Sequence, residues 1–426
     1  MKPIKLTALA LSAALCISAC TEISEPDDQS TPTESNTPTP TENSSSQQQT
    51  DADTPPEQTT PPLLNENIDY AAFDERIAEI ASSLGVVGMG LCVFADGEPV
   101  YTVNYGYADR EAGRLADDDT VYRAASVSKL ISTMVLMTLY DDGVLTPYSE
   151  LETLTGFPYN TPASDSPVLL WHLLTHTAGI VDSYAYENSP YGKPSISYVI
   201  SNSYSGYAPG KAYSYSNLGA GTIGGIVEKL TGEYFHDYAK RALFDPLGMD
   251  AGYCIDLINN RDNAASLYSY GTLLYTVRSW GRTSAYYESY GLGNSYLSAQ
   301  CELLITPTDL AKLGIVLSGD GTVDGKTALS REAVNLINET YFIGDSMDFD
   351  MGLSVRKYKG NFVPNRTIYG HPGQAYGSVN GLYYDPSDGT GVAICSVGCS
   401  VALNEDNGVY VLLDKCVKEV YGVFFD

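Results

Sequence analysis

Between residues 69 and 85 the sequence DYAAFDERIAEIASSLG places Phe73, Ile77, Ile80 and Leu84 three or four positions apart, with charged and small residues between them. That spacing puts the four on one side of a helix, and Gly85 supplies the stop. Directly after it, VVGMGLCVFADGEPVYTVNYGYAD changes to runs rich in β-branched and aromatic residues on either side of Ala95-Asp96-Gly97-Glu98, which predicts a hairpin. The far end of the chain mirrors this order. GSVNGLYYDPSDGTGVAICSVG predicts a hairpin turning at Asp385 to Gly389, and NGVYVLLDKCVKEVYGVFF repeats Val409, Leu413, Cys416, Val420 and Phe424 at helical spacing.

Helix then hairpin at one end, and hairpin then helix at the other, predict that the two ends co-fold into one antiparallel sheet with helices packed on it. The stretch between, about 125 to 355, is mostly helical by period. SKLISTMVLMTLYDDG, GAGTIGGIVEKLTG and TPTDLAKLGIVLSGDG each close on glycine, as helix ends commonly do. The expected fold class is α/β of the α+β kind: an antiparallel sheet flanked by N- and C-terminal helices, with an inserted helical subdomain. A site is expected in the groove between the two parts.

Residues 1–20, MKPIKLTALALSAALCISAC, break this pattern with a basic start at Lys2 and Lys5 and fourteen apolar-rich residues from Leu6 to Ala19. A run that short does not span a bilayer, which needs about 20 residues, and suits an export signal. Its end, Ile17-Ser18-Ala19-Cys20, resembles the lipobox of bacterial lipoproteins. The resemblance implies cleavage before Cys20, lipid on that cysteine and an extracytoplasmic, membrane-anchored protein. Residues 21–66 are Ser, Thr, Pro, Gln and acid with almost no large apolar side chain, the composition of a disordered tether. Residues 67–426 contain no second break of this kind and read as one two-part domain.

The whole chain carries a net charge of −28, of which −20 falls on residues 67–426. Nucleic acid and anionic membrane surfaces are disfavoured as partners by that charge. Cys92, Cys254, Cys301, Cys395, Cys399 and Cys416 remain after the signal, and disulfides are permitted in an exported chain, although spacing does not choose a pairing. His172 and His176 could share a helical face, but the residue after the first is Leu173 and not the Glu of a zinc-hydrolase helix. We expect no metal and no cofactor, and read both histidines as structural.

The helix opening RAASVSKL holds Ser126 and Lys129, three apart on one face of its first turn. A serine hydroxyl is a weak nucleophile alone, and a desolvated neighbouring amine can take its proton. Ser-x-x-Lys by itself is a common accident. Tyr215-Ser216-Asn217 follows 89 residues later at another helix start, where its plain reading is an N-cap. His371-Pro372-Gly373 comes 156 residues after that, in YGHPGQAYG. A single histidine there reads as structural until partners are found for it.

Taken in this order, with DDTVYRAASVSK, LLTHTAGI, APGKAYSYSNLG and DPLGMD around them, the three motifs resemble those of the serine β-lactamase and penicillin-binding-protein superfamily. The nearest branch holds class C β-lactamases, DD-carboxypeptidases of the S12 type, esterases and D-aminopeptidases. The resemblance implies an acylated nucleophile at Ser126, a base at Lys129, an acid–base relay at Tyr215 and a supporting amide at Asn217. It implies that His371 hydrogen-bonds near Tyr215 and helps return a proton. Gly373 is the motif glycine, and the backbone N–H groups of Ser126 and Gln374 would form an oxyanion hole, where one donor is worth about 3 kcal/mol.

Pro372 departs from the pattern. Peptidases and β-lactamases of this kind commonly carry Thr or Ser there, whose hydroxyl helps to hold a substrate carboxylate. The missing proline N–H is tolerable on an edge strand facing a cleft. The expected activity is a serine acyl hydrolase acting on a small amide or ester, with a cell-wall D-amino-acid peptide or a β-lactam among the candidate substrates. An esterase that does not recognise a carboxylate is the alternative, and a non-catalytic penicillin-binding sensor is the alternative from another class. The tyrosine-rich segments SYAYENSPYGKPSISYVISNSYSGY and SLYSYGTLLYTVRSWGRTSAYYESY read as exposed loops, or as an aromatic wall around a peptide or glycan.

Overall fold

The computed structural model describes residues 64–426 apart from Asn160, Ser346, Asn361 and Asp426. The signal segment, Cys20 and the tether up to residue 63 lie outside the described residues. Leu64 and Asn65, read from composition as tether, pack on the last helix, and Asn65 N–H donates to Phe424 O at 3.0 Å.

An eight-stranded antiparallel sheet joins the two ends of the chain. It contains β1 (Gly88–Ala95), β2 (Glu98–Asp109), β3 (Arg114–Leu115), β4 (Phe349–Met351), β5 (Arg356–Lys359), β6 (Thr367–Ala375), β7 (Ser378–Asp385) and β8 (Thr390–Val397), in the order β4-β5-β6-β7-β8-β1-β2-β3. β1 and β8 make the join, running from Gly88 opposite Val397 to Phe94 opposite Gly391. The predicted first turn lies at Asp96 and Gly97, both at positive φ (53° and 79°), the two-residue geometry that matches strand twist. Tyr376 and Gly377 make the same turn between β6 and β7.

β1 is buried along its whole length, so its alternate side chains serve two cores. Met89, Leu91 and Val93 face the terminal helices α1 (Tyr70–Ser83) and α5 (Val411–Phe424), while Cys92 and Phe94 face the other way. On α1, Phe73 and Ile77 are buried, and on α5, Leu413, Cys416, Val420 and Phe424. The rings of Phe73, Tyr101 and Phe424 lie 5.0–5.8 Å apart in a tight cluster that closes the N- and C-terminal ends together.

The insert is built on α2 (Val127–Asp141) and α3 (Asn217–Thr231), both almost entirely buried. α4 (Pro307–Ser318), expected within that insert, instead covers the second face of the sheet against β1 and β8. Its buried Leu310, Ala311, Leu313, Ile315, Val316 and Leu317 surround most of the helix, which suits burial between sheet and insert and not an outer surface. The first tyrosine-rich segment is divided. Tyr184 is 81% exposed and Tyr191 and Tyr198 are exposed, whereas Tyr186 is fully buried and its hydroxyl accepts from Gln300 Nε2.

No disulfide joins the six cysteines from Cys92 to Cys416, all of which are buried. Burial pushes the Cys399 thiol up to about 11 and the Cys92 and Cys416 thiols to about 12. Among the described residues no helix is long and apolar enough to cross a membrane.

Phe424→Ala is expected to destabilise the domain by about 3–5 kcal/mol, because it empties the ring cluster at the closure of the chain ends. A urea midpoint unchanged from wild type would contradict this packing account.

Candidate active site

Ala124 N–H is tied to Leu303 O at 2.8 Å, and the chain then turns sharply into α2. Ala125 at the turn has φ 51°, a left-handed conformation that a non-glycine residue adopts at a cost. Ser126 follows in helical geometry at the N-cap of α2, yet its side chain caps nothing. Instead Lys129 Nζ lies 2.9 Å from Ser126 Oγ. Both residues are buried, Lys129 completely.

Strand β6 reaches this turn at Gly373. A Cβ there would stand 2.4 Å from Ala124 O and 3.0 Å from the backbone nitrogens of Ser126 and Val127. Only glycine admits that approach, which sets β6 directly against the backbone of Ser126. β6 is an interior strand, contrary to the expectation of an edge. Its pairing with β5 stops at Gly370, however, so Pro372 is paired only with Gly381 of β7 and the missing N–H breaks no ladder on the other side.

Asn217 begins α3 and brings its Oδ1 2.9 Å from Lys129 Nζ. The cap of α3 is Ser216, whose Oγ accepts from Gly219 N at 3.0 Å, so Asn217 is left to point inward. The Tyr215 ring centroid lies 4.9 Å from Lys129 Nζ. Gln300 O lies 3.1 Å from the same nitrogen. Gln300 arrives there because α3 presents glycine to the preceding segment: a Cβ at Gly221 would sit 1.9 Å from Tyr296 O.

His371 is 1% exposed and lies two residues before Gly373 on the same side of β6. Its Nδ1 is 2.6 Å from Pro372 O, a group that only accepts, so the proton of the neutral ring sits on Nδ1. Burial first, then the charges of Arg356 and Lys129, hold its pKa well below the ordinary value. No hydrogen bond joins its Nε2 to another group among the described residues. The bond expected near Tyr215 is therefore replaced by a local one to its own strand.

His176 proves to border the site. It has φ 58°, its ring lies 4.4 Å from that of Tyr215, and its Nδ1 accepts from Ser216 N at 3.2 Å, which places its own proton on Nε2. Burial, with Lys129 and Arg356, lowers its pKa well below the usual range. His172 stays structural: Nδ1 accepts from Leu169 N at 2.9 Å, and burial takes its pKa down to about 4. Among the described residues no three His, Cys, Asp or Glu side chains group as metal ligands.

Sequence reading missed Asp182. Its carboxylate accepts from Asn217 Nδ2 at 2.9 Å, Asn217 N at 3.1 Å, Ser216 Oγ at 3.0 Å and Leu218 N at 2.9 Å. Desolvation raises its pKa, and these same donors pull it back. The available signal was an acid six residues past His176 in LLTHTAGIVDS, which carries no chemistry until α3 is placed against it. The carbonyl of Gln300 left no side-chain signal at all.

A buried serine in hydrogen-bond contact with a lysine at the start of a helix, facing a motif glycine on a sheet strand, defines a serine hydrolase. The chain belongs to the Beta-lactamase family, whose sequence profile matches residues 73–398. It is 26% identical over 340 residues to "Penicillin-binding protein 4" of Amycolatopsis lactamdurans, covering 78% of this chain and 86% of that one. It is 32% identical over 202 residues to "Esterase EstB" of Burkholderia gladioli, a match spanning 43% of this chain and 50% of the esterase. The fold is shared with "D-alanine Carboxypeptidase AmpC from Burkholderia cenocepacia" at TM-score 0.64 and 19% identity, over 83% of this chain and 98% of that one.

At pH 5.5, below the ordinary imidazole value of about 6.5, His176 and His371 are expected to remain neutral in the folded protein, with opposite tautomers. Nitrogen-15 NMR should show the proton on Nε2 of His176 and on Nδ1 of His371. An imidazolium signal from either at that pH would refute the assignment.

Proposed function

We propose that the protein hydrolyses a small ester or amide through an acyl-enzyme on Ser126. The observation that carries this reading is Lys129 Nζ, held 2.9 Å from both Ser126 Oγ and Asn217 Oδ1 in a fully buried position. In its neutral form Lys129 takes the Ser126 proton as Oγ attacks the substrate carbonyl. The tetrahedral oxyanion is received by the N–H groups of Ser126 and Gln374. Tyr215, beside Lys129, relays the proton to the leaving group. Asn217 supports the lysine and the substrate amide. Water then releases the acyl group by the same route reversed.

Pro372 offers no hydroxyl to a substrate carboxylate, which supports an ester or amide without a free carboxylate beside the scissile bond. Similarity over most of the chain to a penicillin-binding protein supports the second reading, a cell-wall peptide ending in a D-amino acid. In either case the site acts outside the cell, on a chain exported and held to a membrane by lipid on Cys20. That part of the proposal stands on Ile17-Ser18-Ala19-Cys20 and the tether composition.

Intact-mass measurement after treatment with a fluorophosphonate, and separately with a fluorescent penicillin, tests the reading. Wild type is expected to gain one fluorophosphonate adduct that Ser126→Ala loses. No wild-type adduct, or the same adduct on the variant, overturns the nucleophile assignment and leaves the non-catalytic binding protein. Labelling by penicillin together with release of a terminal D-residue from a peptide moves the substrate to the cell wall.

Pro372→Thr is expected to raise the rate of penicillin acylation about tenfold or more, the worth of one hydrogen bond to a charged group. An unchanged rate would remove position 372 from substrate selection.

A further inference from the structure

We infer that Asp182 is the positioning residue of this site: it locks the Asn217 amide in one orientation and, through that amide, sets a negative charge next in line to Lys129. The inference rests on the reading of Lys129 as the base.

A side-chain amide has one end that only donates and one that only accepts. Asp182 receives four donors, two on each oxygen, and such a carboxylate acts as acceptor alone. Asn217 Nδ2 must therefore face Asp182, which leaves Oδ1 for Lys129. Were the amide reversed, its NH₂ would meet the donor-only lysine, and its oxygen would meet a carboxylate. Helix capping does not account for this arrangement by itself. Ser216 already supplies the side-chain cap of α3, through Gly219 N. The carboxylate adds Asn217 N and Leu218 N, at a helix end whose dipole favours an anion.

The groups placed against Lys129 above do not supply this charge. Ser126 contributes a hydroxyl and Tyr215 the face of its ring, Gln300 contributes a carbonyl, and His176 and His371 are held neutral. Arg356 acts on both histidines as a second cation, and Glu302 is engaged by Arg123 and Arg282. Asp182 thus opposes the loss of the lysine proton while it fixes the geometry for that proton's return. The two effects separate in a pH profile.

The experiment is the rate of fluorophosphonate labelling of Ser126 in the full domain, followed by intact mass from pH 5 to pH 10. In wild type the rate rises with pH as Lys129 loses its proton. Asp182→Asn is expected to move the midpoint of that rise down by about one pH unit, because an opposing charge has gone. Its plateau is expected to fall about 100-fold, because Asn217 is no longer held in one orientation. A plateau that falls with an unmoved midpoint means helix capping alone, and overturns the inference. Asp182→Glu keeps the charge and the acceptors on a longer arm, and is expected to lower the plateau while leaving the midpoint in place. It serves alone if the amide variant does not fold, and a shifted midpoint in it also overturns the inference. Absence of labelling in wild type would instead defeat the reading of Ser126 and Lys129.

Discussion

A single nitrogen, Lys129 Nζ, organises this molecule. It is removed from water and held by Ser126 Oγ, Asn217 Oδ1 and Gln300 O, three groups from three distant parts of the chain. A buried amine of this kind is tolerable only if its donors are satisfied, so the insert must bring α3 and the segment before Cys301 onto α2 together. The glycine at 221 and the inward-facing Asn217 are local consequences of that requirement. So is the cap at Ser216, which frees Asn217 from the role its position would otherwise give it.

The sheet meets the same centre from the other side. β1 and β8 close the chain ends into one sheet, and that closure carries β6 to the Ser126 turn, where Gly373 lies against Ala124 O and the backbone of Ser126. β5 stops at Gly370 and leaves the motif half of β6 paired on one side only, with β7. The two histidines that line the centre are neutral for the same physical reason. Each is buried beside cations, and each has its tautomer set by one backbone group.

Much of this architecture was legible. The helical spacing of Phe73 and Ile77, the Asp96-Gly97 turn and the apolar repeat of the last helix are local signals, because secondary-structure period and turn geometry are carried by neighbouring residues. Ser126, Lys129, Tyr215, Asn217, His371 and Gly373 were found as three motifs in order, and the structure brings Ser126, Tyr215 and Asn217 onto Lys129 and Gly373 against the backbone of Ser126. α4 was misplaced because an apolar helix carries no mark of which layer will cover it. His371 was expected to reach toward Tyr215, and its bond to Pro372 O depends on a ring rotamer that no sequence pattern specifies. His176 looked structural and is so, but only the approach of Tyr215 shows that its structural task lies at the site.

The amino-acid sequence alone determined the elements, the family resemblance and the chemical types available, because each rests on residues near one another or on motifs in fixed order. Tertiary structure decided which way each of those groups faces. Asp182, the carbonyl of Gln300 and the open half of β6 have no meaning until separate segments are packed together, since hydrogen bonds across 35 or 171 residues are set by the fold and not by spacing. Pro372 was visible from the start, and the end of β5 explains why the fold can hold a proline there.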